Sequence, residues 1–230
     1  MAEQWRVDSE REHAAWLERW EEGRTGFHQA EVNPQLERWW PQLGLPAGSR
    51  VFVPLCGKSH DLTWLAGCGY RVVGNELSPL AIAAYYDEAG IVPARRHAGG
   101  FQLWSHGLVT IVCGDFFSLE PAVTGRLDAA YDRAALVALP ADLRPRYVEK
   151  LAALLRPGAP VLLVALDYPA GEMDGPPFPV PDAEVHELAA GRFDVTVLAS
   201  RMDILAANPR FAERGLSRME ETVYRLDRYR

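Results

Sequence analysis

Lysine is nearly absent. Lys58 and Lys150 are the only two among 230 residues, so arginine carries the positive charge and a Schiff-base mechanism has two candidates at most. Cysteine is scarce as well: Cys56, Cys68 and Cys113 are odd in number, form no C-x-x-C pair and stand at no metal-ligand spacing from a histidine. Neither a disulfide framework nor a metal site is expected from them, only reduced thiols. The histidines His13, His28, His60, His97, His106 and His186 form no spaced cluster, and only His28, beside Phe27, is a candidate proton acceptor. No apolar run approaches the roughly 20 residues of a membrane span. The opening MAEQWRVDSEREHAAW is charged, so a cytoplasmic chain with no signal peptide and no membrane partner is expected. A net charge of -7 gives no basic field for nucleic acid and leaves a small molecule as the expected partner.

Two phosphate-binding patterns are missing too. VFVPLCGKSHD, Val51 to Asp61, places Gly57-Lys58-Ser59 after an apolar run, but the position five before Gly57 is Phe52, where G-x-x-x-x-G-K-[ST] needs glycine. The dinucleotide pattern G-x-G-x-x-G fails as well, because positions 57, 59 and 62 read Gly, Ser and Leu. A triphosphatase and a nicotinamide dehydrogenase are both disfavoured by these spacings.

What is present is alternation. Apolar runs of strand length lie at Val51 to Leu55, Arg71 to Glu76, Val109 to Cys113, Asp128 to Tyr131, Val161 to Leu166, Asp194 to Ala199 and Thr222 to Leu226. Helical stretches fall between several of them: one around Thr63 to Ala66 stopped by Gly67 and Gly69, one opened by Ser78-Pro79 and closed at Gly90, and one from Arg146 to Leu155. The Pro/Gly run Tyr168 to Pro181 reads as a long loop. With 48% apolar residues the chain suffices for one domain over residues 1–230, expected to be an α/β fold with a doubly wound, mainly parallel sheet of seven strands. Ligands of such sheets bind beyond the carboxyl ends of the strands.

Three of those ends carry unusual residues: Leu55-Cys56-Gly57, Asn75-Glu76 and Cys113-Gly114-Asp115. Glu76 lies 19 residues after Gly57, where an acid accepts both hydroxyls of a ribose. Each residue also has a plainer reading: Glu76 as a solvated carboxylate ahead of a helix, Asp115 as a helix cap, Gly57 as a turn glycine. A ribose acid without pyrophosphate glycines fits a nucleoside that has no phosphates, such as S-adenosylmethionine. LLRPGAPVLLVAL, Leu154 to Leu166, adds the helix, Pro-Gly turn and strand frequent in methyltransferases.

Longer motifs carry a resemblance to one family. WLERWEEGRTGFH (Trp16 to His28), VFVPLCGKS (Val51 to Ser59), VVGNELS (Val72 to Ser78), YDRAALVAL (Tyr131 to Leu139), GPPFPVP (Gly175 to Pro181) and NPRFAERGLSRMEETVY (Asn208 to Tyr224) resemble the bacterial thiopurine S-methyltransferases over nearly the whole chain. The resemblance implies an S-adenosylmethionine-dependent enzyme with a seven-stranded methyltransferase sheet and a helical cover formed by residues 1–33. It implies cofactor contacts at Trp16, Leu55, Glu76 and Arg133, and acceptor contacts at Phe27 and Arg210. The implied acceptor is a thiopurine, with selenium or tellurium compounds also associated with bacterial relatives. A thiol, halide or metalloid methyltransferase of the same fold, and a non-catalytic nucleoside-binding module, are the alternatives.

Methyl transfer from a sulfonium to a thiolate is an in-line displacement that needs positioning in a dry, aromatic site, without a metal or a catalytic triad. Trp16 and Trp20, four apart, share a helix face, and such rings attract a methylsulfonium; their plainer role is packing. Gly23 and Gly26 then read as hinges of a lid. Arg133 is the candidate catalytic group, holding a carboxylate or a developing thiolate by paired hydrogen bonds, unless it is spent on an ion pair with Asp132 or another nearby acid. A monomer is expected.

Overall fold

The computed structural model describes residues 2–230, with side chains from residue 11 onward. Helix α1 (Ala2–Glu21) leads through an irregular stretch to α2 (Pro34–Trp39), which Asn33 caps by accepting the Gln35 N–H at 2.9 Å. Strand β1 (Arg50–Val53), helix α3 (His60–Gly67), β2 (Arg71–Glu76) and α4 (Pro79–Glu88) follow in strict alternation. Ser59 and Ser78 cap the two helices, accepting the N–H of Asp61 and of Ala81. Both cap oxygens satisfy donors that a first helical turn leaves without partners. Gly69 and Gly90, at φ +86° and +66°, take the left-handed conformation that turns the chain out of each helix.

The chain then makes β3 (Ala94–Ala98), β4 (Phe101–His106) and β5 (Val109–Cys113), and passes through α5 (Pro121–Thr124) to β6 (Ala129–Arg133). Helix α6 (Arg144–Leu154), β7 (Pro160–Asp167), α7 (Asp182–Ala189), β8 (Phe193–Asp203), α8 (Pro209–Glu213) and β9 (Glu220–Arg228) complete the described chain. One sheet holds all nine strands in the order β3-β4-β5-β2-β1-β6-β7-β9-β8. The middle five, β5 to β7, are parallel, and both flanks are antiparallel. The expected doubly wound sheet is therefore found, with nine strands in place of seven.

The two additional strands are the β3–β4 hairpin. Its turn is Gly99-Gly100, both at positive φ (+56° and +83°), as a two-residue hairpin turn requires. Its outer strand, ARRHA, is exposed along most of its length and has no apolar run by which to recognise it.

Strand alternation sends Phe52 to one core layer, beneath Tyr147 and Leu151 of α6, and sends Val51 and Val53 to the other, against Leu62 of α3 and Ile82 of α4. Burial on both faces is why β1 and β7 are almost continuously apolar. At the foot of the sheet, Asp128 accepts the Arg50 N–H at 2.8 Å and the Arg156 Nε–H at 2.8 Å, clamping the starts of β1 and β6. Order reverses between β1 and β6, so the crevice of this sheet opens above their far ends. The loop from Tyr168 to Pro181 is folded back there: buried Arg144 donates to Pro179 O at 3.1 Å, and the Tyr168 hydroxyl donates to Pro177 O at 2.7 Å.

Candidate active site

A cavity of about 560 Å³ opens at the carboxyl ends of β1, β2, β5 and β6, and all eight residues singled out from the sequence line it. Backbone strain marks its floor. Leu55, just after β1, and Ala134, just after β6, have φ of +46° and +68°, conformations that cost a side-chain-bearing residue on the order of 1–3 kcal/mol and cluster at functional sites. Gly57 follows at φ +54°. Its neighbour Cys56 is buried, and its Sγ fills the place where a Cβ on Gly74 would sit, 2.8 Å away. Burial pushes that thiol well above its ordinary pKa.

Glu76 is buried rather than solvated, at 7% exposure. Its Oε2 accepts the Gly57 N–H at 2.8 Å and its Oε1 accepts the Ser78 N–H at 2.7 Å. Burial raises its pKa against the pull of these backbone donors. A carboxylate offers about four acceptor directions, and the Leu77 N–H pulls on this one as well, so one direction stays open for a further donor, such as a ribose hydroxyl. The same side chain ties the β1 loop to the end of β2.

Asp115 caps a turn and lines the cavity. It accepts the Phe117 N–H at 3.0 Å and the Ser118 Oγ–H at 2.6 Å. His13 Nε2 lies 3.2 Å from its Oδ1. Burial alone pushes this carboxyl up, but the hydrogen bonds of His13, Ser118 and Phe117 outweigh it and hold the pKa low.

The roof is aromatic. Phe27 meets Trp16 and Trp20 edge-to-face, each at 5.5 Å between ring centroids, and Trp20 packs over Gly57. Arg133 Nη1 donates to Phe27 O at 3.4 Å, tying β6 to this N-terminal segment. Asp132 is not its partner. Successive strand residues point to opposite faces, and Asp132 is buried in the core, accepting the Tyr147 hydroxyl at 2.7 Å and the Leu136 N–H at 3.1 Å. That burial pushes its pKa up to about 6.

Arg210 reaches the same end of the cavity, and its pKa is lowered by burial and then by the neighbouring charges of Arg133 and Arg214. Arg214 was not legible as a site residue. It stands four residues after Arg210, and both guanidinium groups lie over the ring of Phe211. Glu221 lines the same cavity; burial raises its pKa against the pull of a Gln35 hydrogen bond and of the Arg133 charge. His28 sits with its ring 5.3 Å from His60, and burial, then Lys58 and His60, lower its pKa, which favours the neutral form able to accept a proton. Lys58 is held at the rim by an ion pair with Glu88. Among the described residues no His, Cys, Asp and Glu gather in a group able to hold a metal ion, and no helix is long and apolar enough to cross a membrane.

The fold is shared with a solved 1,6-didemethyltoxoflavin-N1-methyltransferase of Burkholderia thailandensis, bound to 1,6-didemethyltoxoflavin and S-adenosylhomocysteine: TM-score 0.61, 21% identity, 95% of this chain and 87% of that one. It is shared too with phosphoethanolamine N-methyltransferase 2 of Haemonchus contortus in complex with S-adenosyl-L-methionine, at TM-score 0.61 and 12% identity over 85% of this chain and 52% of that one. In sequence, the thiopurine S-methyltransferase of Xanthomonas campestris pv. campestris is 51% identical over 213 residues, 93% of this chain and 97% of that protein. The protein of the same name from Nitrosospira multiformis is 47% identical over 211 residues, 92% and 96% of the two chains. The thiopurine S-methyltransferase family model matches residues 11–229, and with the motifs and the cavity just described this chain belongs to that family.

Proposed function

We propose that this enzyme transfers the methyl group of S-adenosylmethionine to the sulfur of a thiopurine. The observation that carries the reading is Glu76: a buried carboxylate at the end of β2, tied to the Gly57 loop with acceptor capacity to spare, in a cavity that also holds an aromatic roof and three arginines. The residues present fit S-adenosylmethionine. Glu76 takes the ribose, Asp115 the base end, and Leu55 and Gly57 line the floor. When bound, the cofactor supplies an electrophilic methyl group on a sulfonium. Trp16 and Phe27 offer that cation ring faces and exclude water. Arg133 holds a carboxylate or the acceptor thiolate by paired hydrogen bonds, and Phe27 and Arg210 face the acceptor.

Residues 1–33 act as the cover of a single domain spanning residues 1–230. Relatives named for thiopurine methylation at 51% and 47% identity support the acceptor class. The arginine face also suits anionic selenium or tellurium species, the second acceptor class. We place the enzyme in the cytoplasm as a monomer; three unpaired cysteines support the compartment. Calorimetric titration with S-adenosylmethionine, then methyl-transfer assays on 6-mercaptopurine, selenite-derived species and small thiols, test the reading. Arg133→Ala should lower turnover at least tenfold, about 1.4 kcal/mol in barrier, with little change in melting temperature. Binding without turnover on any acceptor would instead mark a nucleoside-binding module.

A further inference from the structure

Among the described residues, two contacts of helix α1 frame the cavity. His13, Trp16 and Trp20 stand at i, i+3 and i+7, hence on one face, and that face lines the cavity. At one end Trp20 covers Gly57, beyond β1. At the other, His13 Nε2 meets Asp115 Oδ1 at 3.2 Å, beyond β5. The sheet order β5-β2-β1 places Glu76, at the end of β2, between these two anchors. Dimensions agree: seven residues of helix rise about 10 Å, and strands two places apart are about 10 Å apart. The helix thus crosses three strand ends with the ribose acid beneath its middle.

We infer that His13 is a positioning residue that clasps α1 down over the cofactor and aims Asp115 at it. Phe117 N–H, Ser118 Oγ–H and His13 together occupy three acceptor directions of the Asp115 carboxylate, leaving one of about four for a donor on the ligand. An adenine amino group is such a donor. The aromatic anchor at Trp20 is separate from the clasp, so loss of His13 loosens the Asp115 side of the cover. The inference rests on the cofactor reading above.

A double-mutant cycle tests it: calorimetric titration of S-adenosylhomocysteine into the full-length wild type, His13→Ala, Asp115→Ala and the double variant. The expected result is an affinity loss of about fivefold for His13→Ala in the wild-type background, and none when Asp115 is already alanine. In steady-state kinetics His13→Ala should raise KM for S-adenosylmethionine by a similar factor while KM for the acceptor and the melting temperature hold. His13→Gln, which keeps an N–H donor, should recover most of the loss. An equal loss in both backgrounds, an affinity within twofold of wild type, or a parallel rise in both KM values would overturn the clasp, and the last of these needs no Asp115 variant. A wild type that does not bind the nucleoside at all would instead refute the cofactor reading itself.

Discussion

Changing Glu76 to glutamine separates its two duties. Both carboxylate oxygens accept a backbone N–H, Gly57 at 2.8 Å and Ser78 at 2.7 Å. An amide keeps one acceptor and turns an NH2 group toward the other donor, which loses a charge-assisted hydrogen bond of about 1.5–3 kcal/mol. Against this, burial disfavours the ionised carboxylate, and a neutral amide escapes that cost. Folding stability should therefore change by less than the bond is worth. Cofactor affinity has no such offset, because the loop at Gly57 shifts and one ribose acceptor is lost together; a loss of about 10- to 100-fold, roughly 1.4–2.8 kcal/mol, is expected.

The pH dependence sharpens the test. The Glu76 pKa lies above its ordinary value in the folded protein, so the native state holds a proton in a window where the unfolded chain does not. Stability accordingly falls as pH rises through that window and is level above it. A ribose hydroxyl donates best to the ionised form, so wild-type affinity should weaken as the solution is acidified into the same window. Asp115, whose pKa is held low, stays ionised there. Titrations of the wild type and Glu76→Gln from neutral pH downward should show a steeper acid weakening in the first than in the second. Equal affinities, or an equally steep acid weakening in Glu76→Gln, would refute the assignment.

Asp132 offers a stability counterpart. Its folded pKa of about 6 lies above the ordinary 3.8, so stability should fall as pH rises between those values by roughly 3 kcal/mol at most and then stay level. Asp132→Asn should recover much of this at neutral pH and flatten the profile in urea melts; a wild type that gains stability with pH across that window would contradict the burial argument. Lys58→Ala should leave affinity for S-adenosylmethionine within about tenfold, or 1.4 kcal/mol, since Nζ is engaged by Glu88 at the rim. A larger loss in calorimetry would place the lysine on the cofactor after all.

The central strands were legible because burial on both faces demands apolar runs, and β2 begins and ends at Arg71 and Glu76 as its sequence suggests. The β3–β4 hairpin was not, since an outer strand that faces solvent is free of that demand; only Gly99-Gly100 advertised it. Glu76 could be found by its distance from Gly57, as both are fixed by strand-loop lengths. His13 and Arg214 could not, because what matters in each is which way a helix face or a five-residue helix is turned by packing. Asp132 and Arg133 look like an ion pair in one dimension and are separated by the alternation of the strand.

The clamp at the foot of the sheet has a practical side. Strand β9 runs antiparallel to β7 and ends beside its start, where the Arg228 N–H donates to Ala159 O at 3.0 Å. Polypeptide joined after Arg228 therefore departs on the side away from the cavity, near the Asp128 clamp, whereas anything joined ahead of α1 pulls on the helix that lies across it. A C-terminal tether is the attachment that lets an immobilised or fused enzyme keep its mouth clear, and an N-terminal tag is itself a load on the roof.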